Sequence, residues 1–311
     1  MISMVAKEVS NIDGPIVLIT SGPPHSMHLV GHAIKKNFPQ VRWIMDYRDS
    51  WNGTSLFRKK NRLLQFFNSS LEVKCLLGAD HITYISGPML KKAEAVASGS
   101  LQHKSTFISN GYDERLQPRP CPPRDANEMP LRVGYFGMID DTKGGYREPT
   151  CLFEALNLLS NGSIQFVVHG PSVLGPEWGS RSGQSIVNGG KLSHSEALKQ
   201  MNEMDALLLL HTCEAGADEV LTGKVFEYIA TGLPIISVGP REMAVNALLK
   251  DDEAFHWASH LDVNGIAEIF QKLLLAKEAG ELHHRHPEKI LIHSRTRQHE
   301  KFLRLVTGSG A

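Results

Sequence analysis

The chain of 311 residues lacks the features that mark several large classes of protein. Its four cysteines stand far apart with no Cys-x-x-Cys pair, which indicates neither a disulfide framework nor a zinc knuckle. No apolar run approaches about 18 residues, and the first residues lack the apolar core of a signal peptide. The formal net charge is zero, which gives no reason to expect nucleic acid as a partner. We therefore expect a cytoplasmic protein.

Short apolar segments alternate with helical patterns along the whole chain. Continuous apolar strands bounded by helices predict an α/β fold with parallel sheets covered on both faces. We expect two Rossmann-like, doubly wound lobes that face a cleft. No Gly-x-Gly-x-x-Gly motif follows the first strand of either lobe, which disfavours a dehydrogenase. The predicted strands span residues 15–20, 41–45, 81–86, 105–109, 131–139, 164–170, 205–211 and 234–239.

A segment with five prolines, residues 118–130, separates the two predicted lobes. Proline at this density resists regular structure and stiffens a connection. The predicted domains are an N-terminal lobe over 1–117, this linker, a C-terminal lobe over 131–288 and a last helix within 289–311. The first 118 residues hold 14 Lys and Arg against 9 Asp and Glu, and the rest hold 19 against 24. A basic half and an acidic half suggest different partners.

The segment "DEVLTGKVFEYIATGLPIISVGP", residues 218–240, predicts a helix that follows one buried strand and leads into the next. Thr222 can cap this helix, and Gly232 stands where a left-handed residue ends one. The free amides at the helix start, with Lys224, make a site suited to a diphosphate. Glu227 lies one turn further, where a carboxylate could accept hydrogen bonds from a ribose diol. Lys224, Glu227 and Tyr228 are predicted on the polar face.

This segment resembles a known family. Glu219 and Glu227, with seven residues between them, resemble the E-x7-E signature of retaining glycosyltransferases of the GT-B fold. The "TGKVFEYIATGLPI" variant is similar to family 4, which includes enzymes of bacterial surface polysaccharide biosynthesis. The segments "SGPPHSMHLVG", "DYRDSW", "ISNGYDE" and "GYFGMIDDTKGGYREPTCLFEAL" resemble further parts of that family in the same order. The likeness covers roughly residues 15–240.

The resemblance implies a glycosyltransferase that moves a sugar from a nucleotide-diphosphate donor to a glycan or lipid-linked acceptor with retention. Glu227 would bind the ribose of the donor, and Glu219 would lie near its sugar. The diphosphate would lie at Leu221, Thr222 and Gly223, next to Lys224 and Gly137. Lys143 and Arg147 are the candidate cations of the preceding loop, although Lys143 could equally be a solvated loop charge. Met138 stands where many relatives have an arginine, which leaves open which cation neutralises the leaving diphosphate. Arg147 is favoured because "REP" opens the next helix as in the subgroup. The base, UDP or GDP, stays open.

The N-terminal lobe would bind the acceptor. Asp46, Arg48 and Asp49 follow a predicted strand, at the end of a sheet where sites form. Arg48 is the acceptor-side candidate, while Asp46, Asp49 and His25 are catalytic candidates. The alternative is that the Asp and Arg residues pin their loop and that His25 caps a helix or lies at the surface. Both interpretations stay open for each residue.

The chemistry implied needs no cofactor and no metal. A helix N-terminus with Lys or Arg can stabilise a departing diphosphate, and the Asp-x-Asp triplet of the other glycosyltransferase fold is absent. The histidines of "HHRH", residues 283–286, stand too close together for a metal site. The segment 55–77 is basic at one end and apolar along one face. It is either a surface helix or a patch that meets anionic lipid at the inner face of a membrane.

The resemblance also implies that the first lobe is about two βα units short, as in an N-terminally truncated enzyme. Two alternatives follow. The first is a non-catalytic nucleotide-sugar-binding protein or subunit, and the second is a nucleotide-sugar epimerase of the same fold. Members of the family also carry their last helix back to the first lobe, which leads us to expect the same of residues 289–311.

Overall fold

A computed structural model of the chain describes residues 1–52, 62–116, 129–139, 147, 149–171, 174–212, 214 and 216–308. The described residues form two compact units. Unit 1 comprises residues 1–109, 218–221 and 299–311, and unit 2 comprises residues 110–217 and 222–298. Of the predicted linker, only Met129 and Pro130 lie among the described residues, so its structure stays a prediction.

Unit 1 is built on a parallel sheet of four strands that follow chain order, β1-β2-β3-β4. Its core contains Trp43, Met45 and Tyr47 of β2, none more than 1% exposed. The last helix of the chain ends in this unit, where the Arg42 guanidinium donates a hydrogen bond to the Leu305 carbonyl at 2.8 Å. The elements that begin in unit 1 are α1 (Ile2–Ser10), β1 (Val17–Gly22), α2 (Ser26–Asn37), β2 (Arg42–Tyr47), α3 (Arg62–Gly78), β3 (His81–Tyr84), α4 (Gly87–Ala97) and β4 (Ser105–Phe107).

Unit 2 is built on a parallel sheet of six strands in the order β10-β9-β8-β5-β6-β7. Apolar side chains of β8 are buried at all five positions, as expected of a strand covered on both faces. Its elements are β5 (Leu131–Phe136), α5 (Thr150–Leu156), β6 (Ile164–His169), α6 (Pro176–Ser182), β7 (Ser185–Gly190), α7 (His194–Met201), β8 (Ala206–Leu210), α8 (Gly223–Thr231), β9 (Ile235–Val238), α9 (Ala244–Leu248), β10 (Phe255–Ala258), α10 (Val263–Glu278), α11 (Pro287–Leu291) and the start of α12 (Arg295–Thr307).

The order of the strands in unit 2 fixes where a ligand can bind. The chain runs from β5 outward to β7, then returns to β8 on the other side of β5 and continues outward to β10. In such doubly wound sheets the ligand lies beyond the carboxyl ends of the strands at this reversal. The reversal lies between β5 and β8, which end at Phe136 and Leu210.

An α/β fold with two parallel-sheet lobes was predicted, and the structure confirms it. Several features differ from the expectation. The described strands of unit 1 show no reversal of order, so this sheet is wound in one direction only. Strands β7 and β10, both at the edges of the unit 2 sheet, were not predicted. Helix α1, ahead of the first predicted strand, was not predicted either.

Candidate functional site

Helix α8 begins beside the strand reversal of unit 2. Thr222 takes the N-cap position in an extended conformation, as predicted, but its side chain makes no capping hydrogen bond. Gly232 ends the helix with φ +74°, in the left-handed region where glycine has no steric penalty. Thr222 and Gly223 are exposed, and an added Cβ at Gly223 would meet open space. The start of the helix is therefore open to a ligand.

The Lys224 ammonium lies near the rings of two tyrosines. It is 4.7 Å from the centre of the Tyr135 ring and 5.8 Å from that of Tyr228. Burial, and then the nearby Arg147 guanidinium, lower the pKa of Lys224 to about 7, while Glu227 acts in the opposite direction. Two cations thus approach each other at the start of α8, and a bound anion would relieve their repulsion.

Tyr228 corrects the predicted polar face of α8. The sequence placed it beside Lys224 and Glu227, but its side chain is completely buried. Its hydroxyl accepts a hydrogen bond from the Phe136 amide at 3.0 Å, which ties the helix to the end of β5. Burial raises its pKa well above the ordinary value, so the hydroxyl stays neutral. Tyr228 is a structural residue that positions α8.

Gly137 and Arg147 lie near the hydrogen bond between Phe136 and Tyr228. Gly137 follows β5 with φ +154°, and a Cβ there would come within 3.2 Å of the Lys224 ammonium. The Arg147 guanidinium donates a long hydrogen bond of 3.4 Å to the Met138 carbonyl. The other predicted cation, Lys143, lies outside the described residues.

His211 lies at the carboxyl end of β8 and was not singled out in the sequence. Its Nε2 is 3.0 Å from the Ser237 hydroxyl. Burial, followed by the charges of Lys224 and Arg147, lowers the pKa of His211 to about 3. The imidazole is therefore neutral at physiological pH, and it adds no third positive charge to the site.

Glu227 lies one turn into α8, half-buried, as its place in the sequence predicts. Its Oε1 accepts a hydrogen bond of 2.7 Å from Nε2 of His194, the first residue of α7. Nothing in the local sequence pairs these residues, because they are 33 positions apart. The second carboxylate oxygen remains available for a donor from a ligand, since the described residues offer it no hydrogen bond.

Glu219 belongs to unit 1, together with Leu221, although both precede α8 by only a few residues. Its side chain is buried and accepts a hydrogen bond of 2.5 Å from the Ser50 hydroxyl at Oε2. The Lys92 ammonium lies 3.4 Å from the same oxygen. Oε1 is buried with no hydrogen-bond partner among the described residues. Burial raises the pKa of Glu219, and Ser50 and Lys92 oppose that shift.

Asp46 links three strands of unit 1. Its two oxygens accept hydrogen bonds from the hydroxyls of Ser21 at 2.7 Å and Thr83 at 2.6 Å, on the strands to either side. The Arg48 guanidinium lies 3.6 Å from Asp46 and donates to the Ile108 carbonyl at 3.1 Å. These contacts support the interpretation that Asp46 and Arg48 pin the sheet and its loop.

The neighbouring Asp49 lies in a partly desolvated position. Burial raises the pKa of its carboxyl, and Arg48 opposes that shift. Its side chain stays a candidate for an acid–base role.

His25 lies on an aromatic cluster in unit 1. Its ring stacks on Trp51 with centres 5.2 Å apart and an angle of 13°, and the Tyr47 ring lies 6.0 Å away. Neither ring nitrogen has a hydrogen-bond partner among the described residues. Burial lowers the pKa of His25, so the neutral imidazole is favoured. A neutral imidazole can accept a proton, which keeps His25 a candidate base.

A buried polar network in unit 1 holds the loop after β2, and no local sequence pattern predicted it. The Tyr47 hydroxyl donates to Glu72 of α3 and accepts a hydrogen bond from the Trp51 amide at 2.8 Å. The Asn52 amide donates to the other Glu72 oxygen at 2.6 Å. Burial raises the pKa of Glu72, although both hydrogen bonds favour its charged form. The network connects α3 to the loop that carries Asp49 and Trp51.

Helix α3 covers most of the segment 55–77, for which two interpretations were open. Its exposed apolar side chains include Phe66 at 70% and Phe67 at 56%, and Leu64 and Leu77 are exposed as well. Residues 55–61 lie outside the described residues. None of the described helices is long and apolar enough to cross a membrane. Within the described part of the chain, no group of three or more His, Cys, Asp or Glu residues could hold a metal ion.

Most of unit 2 is similar to a known protein family. Residues 147–301 match the family model described as glycosyl transferase-like. The matched residues make up just under half of the 311-residue chain. The match extends from α5 into α12 and includes His194, Lys224 and Glu227. No curated protein matches the chain.

The fold of the chain recurs in solved structures. The N-terminal domain of trehalose-6-phosphate phosphatase from Candida albicans has a TM-score of 0.64 at 11% identity, over 100% of this chain and 74% of that one. Sucrose-phosphate synthase from Thermosynechococcus elongatus has a TM-score of 0.60 at 16% identity, over 99% and 78%. Anabaena HepE, solved with UDP-glucose, has a TM-score of 0.58 at 13% identity, over 99% and 82%. At these identities the likeness establishes the shared fold alone.

Proposed function

We propose that the protein is a glycosyltransferase that moves a sugar from a nucleotide-diphosphate donor to a glycan or lipid-linked acceptor, with retention of the anomeric configuration. The observation that carries the proposal is the pair of cations at the start of α8. Lys224 lies half-buried near Arg147, and its desolvation, followed by the Arg147 charge, lowers its pKa to about 7. A diphosphate at this point would be held by both cations and by the helix amides.

The donor would extend from this anion site toward Glu227. A carboxylate one turn into the helix can accept hydrogen bonds from the two hydroxyls of a ribose, and one oxygen of Glu227 has no hydrogen bond from the described residues. The glycosyl transferase-like family match covers these residues, and HepE, which has the same fold, was solved with UDP-glucose. UDP is therefore the first donor nucleotide to test, and GDP is the second.

The departing diphosphate needs charge stabilisation as the bond to the sugar breaks. Lys224, Arg147 and the start of α8 can supply it in place of a metal ion, because oriented amides and fixed cations stabilise charge without reorganising. We propose on this chemical ground that the reaction is independent of metal. Gly137 favours the site, since a side chain there would compete with the Lys224 ammonium for space.

The acceptor would bind in unit 1. Three groups there have polar atoms without a hydrogen-bond partner among the described residues or have shifted pKa values: His25 on its aromatic cluster, Asp49 and Glu219. Aromatic faces beside polar groups are typical of sugar-binding surfaces. The exposed phenylalanines of α3 are proposed to contact an anionic membrane, which would bring a lipid-linked acceptor to the enzyme.

Proton NMR of nucleotide-sugar turnover in EDTA tests the proposal. The protein is incubated with UDP-glucose or other UDP- and GDP-sugars, and the anomeric signal of the first product is followed, with water as the acceptor. We expect slow release of the nucleotide diphosphate and a product with the donor's configuration, abolished in Lys224→Met. Inverted product would contradict retention, and a strict need for added divalent metal would contradict metal independence. Epimerised donor with no nucleotide released would identify an epimerase instead.

A further inference from the structure

The hydrogen bond between His194 and Glu227 has a defined direction. A charged carboxylate only accepts hydrogen bonds, so Nε2 of His194 carries the proton and donates it over 2.7 Å. His194 is 59% exposed and Glu227 is 26% exposed. Among the described residues, His194 is the hydrogen-bond partner of this carboxylate. One oxygen of Glu227 is therefore held from outside α8, and the other receives no hydrogen bond from the part of the chain that the structure describes.

The backbone of His194 is held in place by its own helix. Ser193 caps α7 through a capping box, in which its hydroxyl accepts from the Glu196 amide and Glu196 accepts from the Ser193 amide at 2.9 Å. Gly190, with φ +68°, ends strand β7 just before this cap. A capped helix start gives a side chain a fixed origin, and a fixed donor can hold a carboxylate in one rotamer.

We propose that His194 is a positioning residue for the donor site, and that it fixes the Glu227 carboxylate in the orientation that selects a ribose over a 2′-deoxyribose. This inference rests on the proposed function, because it assigns the free oxygen of Glu227 to the ribose diol. A carboxylate that is free to rotate would lose side-chain entropy on binding, and it would pair less well with two hydroxyls at once. His194 removes that cost before the ligand arrives.

The experiment is calorimetric titration of UDP and 2′-deoxy-UDP, and of GDP and 2′-deoxy-GDP, into wild type and five variants. His194→Ala removes the donor, and His194→Gln restores an N–H of similar reach. Glu227→Gln tests the route through the carboxylate, alone and combined with His194→Ala. His286→Ala is the matched control, since His286 is also exposed at a helix start in unit 2 and makes no capping hydrogen bond. Thermal unfolding verifies that each variant is folded.

We expect His194→Ala to weaken ribonucleotide binding by about three- to tenfold, as for the loss of one hydrogen bond to a charged group at a partly exposed site. The 2′-deoxynucleotide should lose less, so the preference for ribose shrinks. His194→Gln should recover most of the affinity and the preference. On the Glu227→Gln background, His194→Ala should have little further effect.

Two results would overturn the assignment while leaving the proposed function intact. In the first, wild type binds the nucleotide and Glu227→Gln weakens it, but His194→Ala behaves like His286→Ala. In the second, His194→Ala weakens the binding of ribonucleotide and 2′-deoxyribonucleotide equally, or it weakens binding as much on the Glu227→Gln background as in wild type. Either result would show that His194 does not act through Glu227. Absence of binding to wild type by every nucleotide would overturn the proposed function together with this inference.

Discussion

Binding of a nucleotide sugar should take up a proton through Lys224. Its pKa in the free protein is about 7, lowered by burial and by Arg147. A bound diphosphate favours the charged ammonium and should raise that pKa toward the ordinary lysine value of about 10.4. At pH 8 the free side chain is protonated in roughly a tenth of the molecules and the bound one in nearly all. Binding should then take up about 0.9 proton.

The same linkage sets the pH dependence of affinity. Above pH 7 each unit should weaken binding by up to about tenfold, equivalent to about 1.4 kcal/mol, because the free lysine must first be charged. From pH 7 to pH 9 the expected loss is about 50-fold when the bound pKa lies near the ordinary value of about 10.4. Below pH 6 the affinity should level off, since Lys224 is then already charged. His211, with a pKa of about 3, does not titrate in this window.

Calorimetry at pH 8 in phosphate and in Tris measures the proton uptake, because the two buffers have different ionisation enthalpies. UDP-glucose is a suitable probe, since its diphosphate lacks the terminal group that titrates near pH 6 in a phosphate monoester. Lys224→Arg should bind with a flat pH profile, because arginine stays charged. Equal heats in the two buffers, together with unchanged affinity between pH 7 and pH 9, would refute the assignment of Lys224 to the diphosphate.

Two further predictions concern stability and the surface. The Lys277 ammonium lies 2.5 Å from the buried Asp205 carboxylate, and Lys277→Met leaves that carboxylate without its cation. The substitution should lower the free energy of unfolding by about 3–5 kcal/mol in denaturant titrations, and adding Asp205→Asn should recover much of that loss. A loss below about 1 kcal/mol for Lys277→Met alone would contradict the reasoning. Replacing Phe66 and Phe67 of α3 by serine should reduce cosedimentation with vesicles of anionic lipid but leave UDP-glucose affinity unchanged. Equal cosedimentation of the variant and wild type would show that α3 does not make the proposed membrane contact.

Sequence patterns predicted the secondary-structure elements that are buried and have a clear local signal. The apolar run of β8 and the start and end of α8 at Thr222 and Gly232 lie where the residues predict. Edge strands gave no such signal. β7 has one apolar pair, Ile186 and Val187, next to an Asn and two Gly, and most of its residues are exposed. β10 is only four residues long, with one fully buried side chain. Short or solvated strands carry little hydrophobic pattern to read.

The candidate site shows a similar division. Lys224 and Glu227 could be singled out because they share one helix, whose periodicity places them one turn apart. His194 could not be, since its contact with Glu227 joins two helices through the tertiary fold. Tyr228 was misplaced because helical periodicity alone cannot show that the strand end at Phe136 offers a buried partner for its hydroxyl. Long-range hydrogen bonds of this kind emerge only once the sheet order is known.

The most direct test of the account is titration of UDP-glucose and GDP-sugars into wild type and Glu227→Ala at pH 7 in EDTA. Glu278→Ala, which removes an exposed carboxylate at the end of α10, serves as the control. The account predicts that wild type and Glu278→Ala bind one nucleotide sugar with equal affinity, and that Glu227→Ala loses about 1.5–3 kcal/mol of binding, or roughly ten- to more than a hundredfold in Kd. Equal binding by Glu227→Ala, or no binding by wild type, would contradict a donor site at the start of α8.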